Sequence, residues 1–295
     1  MTARRGAGAW PIRHALQLML AMLVLQPLLL LITLVDFARV WPDAVDALPM
    51  KALVKVSQVL RPGIGREAPA TASALLRESA LALQGVFITQ AWYSARLASW
   101  HAVAEGYEQG LAKAEARSKA HSVSQQLERI VLTSCAAPLL WCASLLVIVL
   151  CGAPVEAHFG GTAVLAAYLA LLVLFPVVHI LGAPPSAMWT RVLAAPSLAA
   201  PREVLVLLPA AVSLVGALGG GAALALDWGR AWQTWPLPCV YGAAGGLLVG
   251  NVLAMGACAY QINAQVRAKA LEASEPPQAP AVPPAAAKAR RRRKH

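Results

Sequence analysis

Asp227 and Arg230 stand among Trp228, Trp232 and Trp235 in the segment 226–236, between two long apolar runs. An arginine guanidinium can hold a phosphate through two parallel N–H donors, so Arg230 is a candidate for contact with a phosphate-bearing headgroup. Asp227 could instead cap a short helix or hold Arg230 three residues on. Tryptophan favours the depth of lipid headgroups. At spacings of four and three, Trp228, Trp232 and Trp235 would share one face of a short interfacial helix or turn. Three Trp, an acid, a base, Gln233 and Pro236 in so short a stretch favour a recognition surface over a simple aromatic belt with one local ion pair.

Other chemistry is sparse. Glu156 and His158 could hold a proton or an ion in a loop, but one such pair falls short of the three or more ligands a metal needs. His179, three residues after Pro176 within an apolar run, either satisfies a carbonyl freed by the proline or is a buried functional histidine. The chain has no HExxH, no P-loop and no G-x-S-x-G. No metal, cofactor or catalytic residue is therefore expected. Cys135, Cys142, Cys151, Cys239 and Cys258 lie in or beside apolar runs without CxxC pairing and read as small buried hydrophobes.

The elements that position these residues belong in a membrane. Of 295 residues, 58% are hydrophobic and only 13% charged, against roughly 25% charged in soluble proteins. Runs of about 20 apolar residues can cross the hydrocarbon layer as helices, and the backbone must then satisfy its own hydrogen bonds. The runs do not alternate as barrel strands would, so the fold expected is all-α, a polytopic bundle. Five spans are strong, at about 15–35, 130–151, 162–181, 204–226 and 239–260. The first is too long for a signal peptide and reads as an uncleaved span. Pro27, Pro138, Pro176 and Pro209 fall inside spans, where neighbouring helices can repair the lost bond.

Charge decides the count. Arg4, Arg5 and Arg13 precede the first span, and residues 261–295 carry eight basic against two acidic residues, +6 of the net +11. Both termini thus ask to be cytoplasmic, which requires an even number of spans. The sixth is placed at about 79–100. Its uncharged part, 79–95, contains Gln84, Thr89 and Gln90, so it should face other helices; an amphipathic helix on the surface is the alternative. With six spans the 152–161 and 227–238 loops share the non-cytoplasmic side. The basic residues of segment 36–78 argue against this orientation. Residues 101–129 read as a cytoplasmic helical extension, and 261–295 as a disordered, basic, Pro/Ala-rich cytoplasmic tail. That tail suits anionic lipid or topology rather than nucleic acid.

Gly242, Gly246 and Gly250 recur every four residues and draw a groove down the last span. Such a face packs another helix closely, from this chain or from a partner. Gly219, Gly220 and Gly221 mark either a packing level or a break in the preceding span, and Asn251 reads as interhelical hydrogen-bond glue.

Cys151-Gly152-Ala153-Pro154-Val155-Glu156, then Pro176 and Leu181-Gly182, then Leu226-Asp227-Trp228-x-Arg230-x-Trp232-Gln233-x-Trp235-Pro236 resemble the PIG-F family of the glycosylphosphatidylinositol (GPI) anchor pathway. The resemblance is close over about 150–255, with segments 36–78, 101–129 and the tail as additions. It implies a multi-pass endoplasmic reticulum protein that stabilises the large GPI ethanolamine phosphate transferases. The zinc-dependent catalytic domain then belongs to the partner. The resemblance would give Gly152, Pro154, Glu156, Asp227, Trp228, Arg230, Trp232, Gln233 and Trp235 a role in contacting that partner or lipid headgroups. A carrier or scramblase for phosphatidylethanolamine or the GPI precursor is the alternative function, and an intramembrane enzyme using Glu156, His158 or His179 a third.

Overall fold

A computed structural model describes residues 12–35, 48–60, 71–108, 123–182, 184, 189, 201–226, 229 and 231–274. Seven helices and no strand occur among the described residues. Helix α1 runs as Ile12–Leu20, a π turn at Ala21–Leu25, and Gln26–Leu34. Next come α2 (Leu48–Leu60) and α3 (Ala72–Glu108), then α4 (Val123–Leu150). Helix α5 joins Phe159–Leu169, a π turn at Ala170–Leu174 and Phe175–Leu181. Helix α6 (Pro201–Ala222) ends in a 3-10 turn, and α7 is Leu237–Ser274.

Both π turns precede a proline. The Gln26 N–H reaches back to the Ala21 carbonyl just before Pro27, and Phe175 N–H to Ala170 just before Pro176. A proline ring crowds the carbonyl four residues earlier, and one wider turn makes room without exposing unpaired backbone to the surroundings.

Five stretches are long and apolar enough to cross a membrane: Leu16–Leu34, Ser124–Leu150, Phe159–Leu181, Glu203–Ala225 and Leu237–Ala268. This chain is an all-α polytopic membrane protein. Helix α5 is its centre, with 72% of its apolar window buried against 11% for the peripheral α4. That periphery corrects the reading of the cysteines. Cys239 and Cys258 are buried, but Cys135, Cys142 and Cys151, on or just after α4, are exposed. A thiol is apolar enough to face lipid, so burial in protein is not required of it.

Helix α3 is not among the five, yet it threads the bundle. Ser79 sits against Tyr168, whose hydroxyl donates to the Ser79 carbonyl at 2.8 Å, and the Phe87 and Phe175 rings meet edge-on at 5.8 Å. Helices α3 and α5 therefore run in the same direction. Gly85 lies against Thr33 and Leu60, and Gln26 donates to Gln90, which makes α3 antiparallel to α1. Trp141 with Ala163, and Thr133 with His179, set α4 antiparallel to α5.

Helices α6 and α7 form an antiparallel hairpin built on glycine. A Cβ on Gly242 would strike the Gly216 carbonyl oxygen, and one on Gly216 the Gly242 oxygen. A Cβ on Gly246 would meet the Val212 carbonyl, one on Gly250 would come within 2.5 Å of Pro209 Cα, and one on Gly220 would strike the Pro238 carbonyl. The stripe of the last span faces α6, and α6 continues through Gly219–Gly221 without a break. Ser213 adds a hydrogen bond to the Ala243 carbonyl at 2.8 Å.

Three boundaries differ from expectation. The tail expected to be disordered from 261 stays helical to Ser274, because Gln261–Ser274 holds four Ala and two Gln with one each of Arg, Lys, Leu and Glu, all of which favour helix. The 101–129 extension divides into the end of α3 and the start of α4, with 109–122 outside the described residues. Helix α2 was not anticipated. Its face of Val54, Ser57 and Leu60 packs on the bundle beside Ile32 while Lys51 and Lys55 are exposed.

Gly246→Ala should lower the thermal midpoint of the detergent-purified protein by several degrees, since overpacking of this kind costs about 1–3 kcal/mol. Gly245→Ala, with nothing within 4 Å of its new Cβ, should match or exceed the parent. Paired melts of the two variants check this.

Candidate functional site

The loop after α4 and the connection from α6 to α7 meet at one end of the bundle, and Thr162 joins them. Its hydroxyl donates to the Pro154 carbonyl at 2.6 Å and accepts the Trp235 indole N–H at 3.1 Å. One hydroxyl supplies one proton and two lone pairs, so both roles are filled at once. Thr162 is fully buried. Beside it, a Cβ on Gly161 would lie 3.0 Å from Pro236 Cδ and 3.1 Å from Trp235 Cδ1, so the glycine lets the indole lie on α5.

Each loop enters this junction by a local rule. Helix α4 is terminated at Gly152, whose φ of 94° is left-handed. Gly152 N–H bonds to Val149 O at 2.9 Å and Ala153 N–H to Ile148 O at 3.0 Å, the crossed pair that closes a helix with glycine just past its end. Pro154 follows, and its carbonyl is then in place for Thr162. At the other side, Gln233 donates to the Ala223 carbonyl at 2.8 Å and satisfies the end of α6. The Trp235–Pro236 bond is cis, and Pro236 accepts from Cys239 and Val240 as α7 begins.

Several expected site residues therefore have structural duties here. Gly152, Pro154, Gln233 and Trp235 build the junction. Glu156 and Trp232 are displayed by it, Glu156 exposed in the turn and Trp232 38% exposed in the 3-10 turn Ala231–Gln233. Val155 and Phe159 are exposed beside Glu156. Asp227, Trp228 and Arg230 lie outside the described residues. The shared helical face expected of Trp232 and Trp235 does not form. The 3-10 turn ends at Gln233 and Trp235 falls in the turn before α7, so one indole is displayed and the other docks on Thr162.

His179 is buried near the far end of α5. Thr133 donates its proton to the Arg129 carbonyl at 2.8 Å, so His179 Nδ1, 3.1 Å from the same oxygen, is the donor there. Its ring stacks on Phe175 with centroids 6.2 Å apart. The partner is thus a hydroxyl on α4 rather than a carbonyl freed by Pro176. His158 and His179 flank the two ends of α5, about 30 Å apart at ~1.5 Å per residue. Glu156, His158 and His179 therefore do not converge. Among the described residues, no three or more His, Cys, Asp or Glu gather as a metal site would require.

Sequence reasoning missed Thr162 and Gly161. The available signal was a Gly-Gly-Thr step at the mouth of an apolar run, where a hydroxyl has no local need. Thr162→Val should strand both the Trp235 N–H and the Pro154 carbonyl, lowering stability by about 1–3 kcal/mol. Thr162→Ser should restore most of it. Thermal melts followed by tryptophan fluorescence measure both.

Comparison with known proteins supplies the family. The chain is 41% identical over 127 residues to glycosylphosphatidylinositol anchor biosynthesis protein 11 of Neurospora crassa, 42% of each chain. It is 33% identical over 142 residues to the human GPI ethanolamine phosphate transferase, stabilizing subunit, covering 48% of this chain and 64% of that protein. The mouse protein of the same name is 32% identical over the same length. In each case the match spans less than two thirds of the relative. No solved structure matches the chain significantly. The family described as GPI biosynthesis protein family Pig-F matches residues 68–255, a stretch that takes in α3 and the whole junction, and the chain belongs to that family.

Proposed function

We propose that this protein is a non-catalytic subunit of the endoplasmic reticulum membrane that stabilises a large GPI ethanolamine phosphate transferase. In that role it supports transfer of ethanolamine phosphate to mannose of the anchor precursor. The observation that carries the reading is the Thr162 junction, a platform that displays Trp232, Glu156, Val155 and Phe159. An exposed indole at the same end of the bundle as exposed apolar and acidic groups suits the rim and anchor of a protein contact. The human relative's printed name, a stabilizing subunit, supports the same role.

Six membrane passes complete this reading, with α3 as the sixth. It lies antiparallel to α1 and parallel to α5 within the bundle, which supports a pass through the same layer. An even count returns both termini to one side, the cytoplasm by their charge. The junction then faces the lumen, beside the partner's active site, with Asp227, Trp228 and Arg230 in the same connection. Phosphatidylethanolamine or the GPI precursor are the lipids that would approach it.

Purification of the tagged protein in mild detergent should recover a transferase several times larger. Trp232→Ala or Arg230→Ala should lower that recovery severalfold while the chain's own membrane abundance stays the same. Quantitative mass spectrometry of the captured material measures both. Unchanged recovery would reject the platform as the contact. Lipid movement across vesicles by the reconstituted chain alone would establish the carrier reading instead.

A further inference from the structure

We infer that α1, α3 and α7 enclose a small, neutral site for ordered water inside the bundle, a site that rests on the six-pass reading above. Asn251 Nδ2 donates to the Met22 carbonyl at 3.1 Å and to Gln26 Oε1 at 2.8 Å, and Gln26 Nε2 donates to Gln90 Oε1 at 3.0 Å. All three amides are fully buried. Their bonds run one way along the row, leaving a donor, Gln90 Nε2, open at one end and an acceptor, Asn251 Oδ1, open at the other.

The same face of α3 carries the Thr89, Tyr93 and Ser94 hydroxyls, each buried and each without a hydrogen-bond partner among the described residues. Ser94 stands one turn along from Gln90. Unmet hydrogen bonds in hydrocarbon have no solvent to fall back on, and several on one helix would oppose its residence there.

The occupant is constrained by what the site offers. At the Gln90 end it must accept from an amide N–H and at the Asn251 end it must donate to a carbonyl oxygen, so the two ends together call for both functions. It must be small, because these atoms are closed off from the outside. It must be uncharged, because Gln26, Thr89, Gln90, Tyr93, Ser94 and Asn251 supply no compensating charge. Water meets all three conditions. A metal ion fails the last condition, and a phosphate or a lipid headgroup fails the last two. Hydration of this kind lets a helix bearing Gln, Thr and Ser cross the bilayer, and only with α1 and α7 in place.

Water-edited solid-state NMR on the full chain, isotope-labelled at Gln and Asn and reconstituted in phosphatidylcholine vesicles, tests the site. Magnetisation should pass from water to the Gln90 side-chain amide as fast as to surface glutamines. It should persist when a soluble paramagnetic chelate is added. Ser94→Val, which crowds the site, should slow the transfer severalfold. Ser94→Ala, which cannot crowd it, should retain the transfer and carries the test if the valine variant does not fold. Slow transfer in the parent protein would overturn the water site while leaving six passes intact. Loss of the signal on adding chelate would place Gln90 in bulk solvent and overturn the enclosed site and the six-pass reading together.

Discussion

Backbone touches backbone between α6 and α7, and the positions of both functional loops follow from it. In lipid no hydrophobic force draws two helices together, so close van der Waals packing between small residues takes its place. Gly216 and Gly242 each occupy the space a side chain on the other would need, and Gly220 lies under Pro238 and Cys239. The hairpin therefore closes tightly at its connection. A connection held this close can reach back only a short way, and it reaches α5, where Gly161 leaves room for the Trp235 indole. The glycine seam and the tryptophan junction are two ends of one mechanical arrangement.

The strong spans were readable because hydropathy and length are properties of single segments. Helices α1, α5 and α6 and the start of α7 agree with expectation within a few residues. What could not be read depends on pairs of residues distant in sequence. Helix α2 packs through only Val54, Ser57, Leu60 and their neighbours, a face too short to stand out in a run with two lysines. Thr162 matters through Pro154 and Trp235, and nothing at position 162 alone announces either partner. Helix α3 was half readable. Thr89 and Gln90 are buried as expected of residues that face protein, Gln84 on the same helix is exposed, and that Gln90 meets Gln26 required the fold.

The exposed cysteines carry a related lesson. Burial from water and burial in protein are the same thing in a soluble domain, but separate in a bilayer. Cys135 and Cys142 lie exposed on the apolar surface of α4, whereas Cys239 and Cys258 satisfy the second condition in the core. Composition alone reads only the first.

The residues that first marked this chain as a family member divide by task. Gly152 closes α4 through its left-handed φ and two backbone bonds, and Trp235 and Pro154 share the Thr162 hydroxyl. A change at any of these alters the platform itself, so its effect on a partner would arrive through stability. Trp232 and Glu156 are exposed, and neither takes part in the Thr162 bonds. A change at either leaves the Thr162 bonds themselves in place. On the proposed reading, the motif is two superposed elements, a frame and a face. Only the face can distinguish one partner from another, since specificity is a difference between bound states and the frame is common to them all.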